Sequence, residues 1–175
     1  RLRALPHNAL DGGPVDNWEL GTRDTGAYAT FSDVVAYYDW LGGRFAPDAD
    51  RRGRMEAASR AILAQERALT EAMLHGTGNL PGLAELPGVG IVGGVDNPLR
   101  EGLVSFWVEG RDSAEIVAAL NAEGVRVHIR KADHYSGNIL EPMGLSSCIR
   151  VSVCHYNTEA EVARLLAAVK SILAA

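Results

Sequence analysis

The stretch "CIRVSVCHYNTEAEV", residues 148–162, decides how the chain is read. Its first seven residues alternate. Ile149, Val151 and Val153 fall on one face of an extended segment, and Cys148, Arg150, Ser152 and Cys154 fall on the other. Thr158-Glu159-Ala160-Glu161 then has the spacing of a capping box. In that arrangement a hydroxyl and a carboxylate each satisfy a free amide of the first helical turn. Val162, Leu165, Leu166, Val169, Ile172 and Leu173 follow at three- and four-residue steps, so the spacing predicts an amphipathic helix to the end of the sequence. A strand, a turn and a packing helix are expected here, with a cationic Arg150 in the middle of an apolar strand.

Similar units precede it. "GVGIVGG" (88–94) and "GLVSFWVEG" (102–110) are short apolar runs bounded by glycine. Joined by the turn-like "VDNPLR", they read as an antiparallel hairpin. Asp112-Ser113-Ala114-Glu115 is another capping box, opening a helix that buries Ile116, Val117 and Leu120 and closes at Gly124. "VRVHI" (125–129) is expected as the third strand and residues 148–154 as the fourth. Residues 86–175 therefore read β-β-α-β-β-α, an α+β two-layer sandwich on a small mixed or antiparallel sheet.

Upstream, residues 48–75 carry the stripe Met55, Ile62, Leu69 and Met73, ended by Gly76 and Gly78. A helix of about 28 residues spans roughly 40 Å, long enough to bridge two parts of a protein or simply to pack in a core. Glu66 with Thr70, and Arg67 with Glu71, are expected on its solvated faces. A shorter helix is expected from Gly26 to Leu41, with Phe31, Val34, Val35, Tyr38 and Leu41 in helical steps and Gly42-Gly43 as its stop. Residues 1–25, punctuated by Pro6, Asp11, Gly12, Gly13 and Pro14, read as irregular.

The bulk properties exclude several classes. The 175 residues carry a formal charge of −5 with no run of basic residues, which argues against nucleic acid or an anionic membrane as partner. No apolar stretch approaches the roughly 20 residues that cross a bilayer. No signal peptide is expected. Two cysteines make no disulfide framework, so the cytoplasm is the expected location. The sequence opens Arg-Leu-Arg rather than with Met, so its true start is expected upstream. It holds two lysines, Lys131 and Lys170, against fifteen arginines.

Few residues stand out for chemistry. Arg150 must be paired if the strand around it is buried. Its planar fork suits a carboxylate, either of a substrate or of a structural Asp or Glu. The polar loop "IRKADHYSGNILEPMG" (129–144) joins two strands, and His134, Tyr135 and Ser136 either line a site or belong to a solvated turn. No metal site is expected. Cys148 and Cys154 lie six residues apart on one strand, roughly 20 Å at the strand rise, and no CxxC or HExxH spacing occurs. "GVGIVGG" opens no helix and has no acidic partner at dinucleotide spacing, so it reads as turn chemistry rather than a phosphate loop.

Several pieces fall in a familiar order: "WELGT" (18–22), "YYDWLG" (37–42), the long helix, "LPGVGIVGG", "LVSFWVEG", "GVRV", "HYS" and "IRVSVCHYNTEAEV". Together they resemble the C-terminal half of a class V aminotransferase-type enzyme of the cysteine desulfurase and selenocysteine lyase branch. The Arg-x-Ser-x-x-x-Tyr-Asn-Thr-x-x-Glu string is the most specific part, and the resemblance covers essentially the whole chain. It implies an α/β fold of the pyridoxal 5′-phosphate (PLP) transferase type, fold type I. Residues 1–47 would be the tail of the large cofactor domain, 48–85 the bridging helix and linker, and 86–175 the small C-terminal domain. It implies a homodimer in which Gly21 and Thr22 reach the partner subunit's cofactor phosphate. Gly21 would allow close backbone approach and Thr22 would offer a hydroxyl and an amide. It implies that Arg150 holds the carboxylate of a small amino-acid substrate, that His134 and Tyr135 lie in the mobile active-site loop, and that Asn157 and Thr158 are structural.

The family's Schiff-base lysine falls upstream of these residues, and neither Lys131 nor Lys170 matches it, so no catalytic residue is expected in this chain and the chain alone is expected to be inactive. The loop carries Tyr135 and Ser136 where desulfurases carry a nucleophilic cysteine. Transamination, epimerisation, β-lyase and decarboxylase chemistry all stay open, because the cofactor carries the difficult step. The alternative from another class is a non-catalytic α+β module that binds a protein.

Overall fold

The computed structural model describes residues 24–174. They gather into two compact units that divide within one helix, between Ser59 and Arg60.

In the first unit, α1 (Thr25–Gly42) starts where the Asp24 carboxylate accepts the Ala27 amide at 3.0 Å. It ends as the Gly43 amide donates to the Asp39 carbonyl at 3.1 Å. The chain then turns, and α2 (Arg51–His75) begins with the Asp50 carboxylate accepting the Gly53 amide at 2.8 Å. That is three residues later than the spacing at Asp48 implied, because residues 46–50 are occupied by turn hydrogen bonds. Arg54 fastens the two helices. Its Nε donates to Asp39 at 2.6 Å and its Nη1 to the Ala49 carbonyl at 2.9 Å. Hydrogen bonding to Arg54 holds the Asp39 carboxyl below the ordinary range. Tyr28, Phe31, Val34 and Trp40 of α1 remain exposed.

The second unit is built on a four-stranded sheet of order β1-β2-β4-β3, antiparallel throughout. The strands are β1 (Val89–Ile91), β2 (Leu103–Val108), β3 (His128–Lys131) and β4 (Ser147–Ser152). α3 (Ser113–Ala122) and α5 (Glu159–Ala174) pack together, and the C-terminal half of α2 adds Leu69, Met73 and Leu74 to the same core. The period-two pattern of the strands decides which side chains enter it. Val104, Phe106 and Ile149 are fully buried, against Ile116 and Leu120 of α3 and Val162, Leu166 and Val169 of α5. Burying side chains of this size contributes about 1.5–3 kcal/mol each.

The expected β-β-α-β-β-α order is present, with a short helix and a following 3-10 turn (Glu141–Met143) added between the third and fourth strands. The short helix is α4 (Gly137–Leu140). Leu140 is buried, so the segment that read as a polar loop is partly anchored in the interior. β3 also begins three residues later than "VRVHI" implied. The Val125 amide donates to the Leu120 carbonyl at 2.9 Å, and the Val127 amide to Asn121 Oδ1 at 3.2 Å. The end of α3 thereby occupies the backbone of 125–127 before it can join the sheet. Thr70, expected on a solvated face, is buried, with its hydroxyl donating to the Glu66 carbonyl at 2.8 Å. β4 stops at Ser152, so Cys154 leaves the strand and its amide donates to Asn157 Oδ1 at 2.8 Å.

The Thr158 box forms as its spacing requires. The Thr158 amide donates to Glu161 Oε2 at 2.7 Å, and the Glu161 amide donates back to Thr158 Oγ1 at 3.4 Å. At α3 only half of the box is made: Asp112 accepts the Ala114 amide at 2.8 Å. Among the described residues, no helix is long and apolar enough to cross a membrane.

Candidate functional site

The sheet has two unlike faces. Toward α3 and α5 it presents Val104, Phe106, Ile149 and Val151; the other face carries Ser105 and Trp107 from β2, Cys148, Arg150 and Ser152 from β4, and His128 and Arg130 from β3. Register fixes these neighbours. Arg150 lies opposite Ser105 on one side and His128 on the other, while Arg130 lies opposite Cys148. Directly opposed side chains on one face start about 4.5–5.5 Å apart, so these groups share one surface.

Arg150 sits mid-strand, half-buried. Its Nε is buried and has no hydrogen-bond partner among the described residues. No Asp or Glu pairs with it there either. The structural Asp or Glu bridge that the sequence left open does not occur among those residues. A buried guanidinium donor without an acceptor is costly and marks a place for one. Cys148 lies between Arg130 and Arg150 and is buried. Burial pushes its thiol up, against the opposing pull of a Ser105 hydrogen bond and of the two arginines. The thiol is therefore neutral near pH 7 and offers neither arginine a counter-charge.

His134 and Tyr135 stand on the turn between β3 and α4. Asp133 Oδ1 accepts the Tyr135 amide at 3.0 Å and the Ser136 amide at 3.1 Å, which hold its carboxyl below its ordinary range. The two rings lie 3.9 Å apart, and Tyr135 is 79% exposed. No hydrogen bond or ring contact joins either residue to Arg150 among the described residues. Gly21 and Thr22 lie outside the described residues. Asn157 and Thr158 are taken up by the cap of α5: besides accepting the Cys154 amide, Asn157 donates to Glu161 at 3.3 Å. Among the described residues, no three His, Cys, Asp or Glu side chains gather as a metal site would need. Ser105, His128 and Arg130 carry no signal in the sequence, because strand pairing rather than spacing brings them to Arg150.

Comparison with known proteins bears on this geometry. The aminotransferase class-V family model matches residues 55–165. A probable cysteine desulfurase of Mycolicibacterium paratuberculosis is 30% identical over 160 residues, 91% of this chain and 20% of that protein. A cysteine desulfurase of Synechococcus elongatus is 36% identical over 112 residues, 64% of this chain and 16% of that protein. Among solved structures, an Escherichia coli cysteine desulfurase matches with a TM-score of 0.63 at 20% identity, over 93% of this chain and 34% of that one. The apo cysteine desulfurase of Thermococcus onnurineus NA1 matches with a TM-score of 0.62 at 20% identity, again over 93% and 34%. The chain thus spans about a fifth of these curated relatives and about a third of these solved chains. The structural likeness shows a shared fold. The matched sequence shows the family: the chain belongs to the aminotransferase class-V family, whose enzymes depend on pyridoxal 5′-phosphate.

Proposed function

We propose that this chain is the C-terminal portion of a PLP-dependent class V enzyme acting on a small amino acid, and that Arg150 binds the substrate's α-carboxylate. One observation carries the reading: a half-buried arginine at the centre of the sheet, with a buried Nε that finds no acceptor among the described residues. That arrangement fits the substrate side of such a site. A carboxylate entering over β4 supplies the missing acceptor and can take two parallel hydrogen bonds from the fork. The cofactor, when bound, supplies the electron sink for chemistry at the substrate α-carbon. Arg150 fixes the substrate's carboxylate end, and Ser105 and His128, opposite it in the sheet, border the space where that end lies.

In this reading residues 1–47 end the large domain, 48–85 form the bridging helix and linker, and 86–175 form the small domain. The exposed Phe31, Val34 and Trp40 of α1 support it, since a helix at the end of a larger domain has apolar side chains to cover. The enzyme works as a homodimer, with Gly21 and Thr22 contributing to the cofactor-phosphate site of the partner subunit. His134 and Tyr135 form part of the loop that closes over substrate, and the Schiff-base lysine is supplied by sequence outside these 175 residues. The chain by itself does not catalyse.

Two measurements on the full chain test this. In a PLP titration followed by borohydride reduction and intact-mass analysis, no stoichiometric adduct should appear. A single adduct mapped to Lys131 or Lys170 would overturn the assignment of the missing lysine. Propionate, a bare carboxylate, should shift the Nε–Hε resonance of Arg150 in an NMR titration, and Arg150→Gln should abolish the binding. Propionate binding that survives this substitution would remove Arg150 from the site.

A further inference from the structure

We infer that Arg130 is a specificity-determining residue that reads a second carboxylate, so that the sheet face completes a site for a dicarboxylic amino acid. The inference rests on the reading of Arg150 as the α-carboxylate ligand. It comes from strand register. Arg150 pairs with His128 and Cys148 pairs with Arg130, so the two arginines are diagonal neighbours on one face of adjacent strands. Diagonal neighbours lie about 7–8 Å apart, within reach of long side chains.

Both arginines are half-buried, and neither has an ion-pair partner among the described residues. The chain does not lack acids: it has 22 Asp and Glu against 17 Lys and Arg. Arg51, Arg52 and Arg54 are each matched with a carboxylate. The residues closest to the diagonal pair leave it unneutralised. Cys148 between them is held neutral, Ser105 is uncharged, and His128 adds a third basic group to the same face. Asp133, the carboxylate nearest to Arg130 in sequence, is engaged by the amides of Tyr135 and Ser136.

Two uncompensated guanidinium groups repel, and their desolvation is unfavourable. A ligand with two carboxylates relieves both costs, one on each fork, whereas a monocarboxylate leaves Arg130 as it was. A single-carboxylate site needs only Arg150. The second cation, on the neighbouring strand and the same face, sets a requirement on the substrate side chain.

The test is an NMR titration of the full chain at physiological ionic strength, following arginine Nε–Hε resonances, with succinate and propionate as probes. Succinate should bind at least tenfold more tightly than propionate. Arg130→Gln should bring succinate to within about twofold of propionate, with propionate binding still dependent on Arg150. Arg130→Lys, which keeps the charge if the Gln variant folds poorly, should retain most of the preference. Arg60→Gln removes the same charge from an exposed site on α2 and should leave the ratio intact. The inference is overturned if Arg130→Gln leaves the succinate preference in place, or if Arg60→Gln lowers it equally, since the preference would then be bulk electrostatics. Propionate binding unaffected by Arg150→Gln would instead refute the α-carboxylate reading beneath it. Propionate binding that depends on Arg150, without a succinate preference, would refute the role of Arg130 alone.

Discussion

Gly82 sits where the chain leaving α2 passes back against that helix's own end. Its φ of −73° is one any residue adopts, so alanine there meets no conformational objection. The objection is space. A Cβ at Gly82 would lie 2.1 Å from the Leu74 carbonyl oxygen, 2.3 Å from the Leu74 carbonyl carbon and 2.5 Å from the Gly76 nitrogen. Measured against the 3.0 Å that real Cβ contacts respect, the closest approach falls short by about 0.9 Å. All three atoms are backbone, so no side-chain rotation relieves the clash. The end of α2, carrying the core residues Met73 and Leu74, has to move. Overpacking of this kind costs about 1–3 kcal/mol. Reduced freedom of the unfolded chain returns roughly 0.4–1 kcal/mol on replacing Gly by Ala. The net for Gly82→Ala is then a destabilisation of about 1.3 kcal/mol, which lowers the urea midpoint by about 0.6 M for a slope near 2 kcal/mol per M.

Gly78, four residues earlier, is the converse control. It has φ +57° and nothing within 4 Å of a built Cβ. Gly78→Ala should cost about 1 kcal/mol from conformation alone, and Gly78→Asn should recover much of that because Asn tolerates the left-handed region. At Gly82 the larger Asn should be worse than Ala. Urea unfolding of the four variants, followed by tryptophan fluorescence, checks the pattern. A neutral or stabilised Gly82→Ala would refute the close approach, because only the unfolded-state gain would then be acting.

Three other outcomes are expected. Arg100 clasps the segment joining β1 to β2 by donating to the carbonyls of Val92 at 3.1 Å, Leu103 at 3.3 Å and Gly94, so Arg100→Ala should destabilise the fold by about 2 kcal/mol in the same urea assay and raise amide exchange across residues 92–103. The Asp133 carboxyl is depressed, chiefly by the Tyr135 and Ser136 amides, so its hold on the turn is complete above the ordinary Asp value of about 3.9 and is lost as pH falls through its lower folded value. Protection of those two amides should fall over that acidic range in the parent chain and be low throughout in Asp133→Ala. Cys148 is buried and Cys154 only half-buried, so a thiol reagent should label Cys154 first. Cys154→Ser should remove the fast phase, and rapid labelling of Cys148 would contradict its burial.

Much of the second unit was legible because it depends on local chemistry. The Thr158–Glu161 box and the leucine and valine steps after it give α5. The glycine-bounded apolar run at 102–110 gives one strand, and the alternation over 148–154 gives another with its two faces, although that strand ends at Ser152. The start of β3 was not legible, because it is decided by the Asn121 side chain and the Leu120 carbonyl capturing the amides of Val127 and Val125. Thr70 misled for a similar reason: its hydroxyl satisfies itself on the Glu66 carbonyl, so a polar residue could enter the interior. In the candidate site, Arg150 stood out as a charge among apolar residues. Its neighbours did not, since the register between β4 and the two strands beside it is set by tertiary packing. The Gly21-Thr22 pair, legible as a motif, falls outside the described residues.

The order β1-β2-β4-β3 leaves β1 and β3 at the rims of the sheet. A rim strand exposes free amides and carbonyls on which a second chain can extend the sheet, the route by which β proteins aggregate. Here β1 is three residues long and β3 is four, and β3 reads His-Ile-Arg-Lys. Neither offers a long apolar template, and a copy of β3 approaching its own edge would bring Arg130 and Lys131 against their like. The brevity of both rim strands therefore protects the sheet from joining itself.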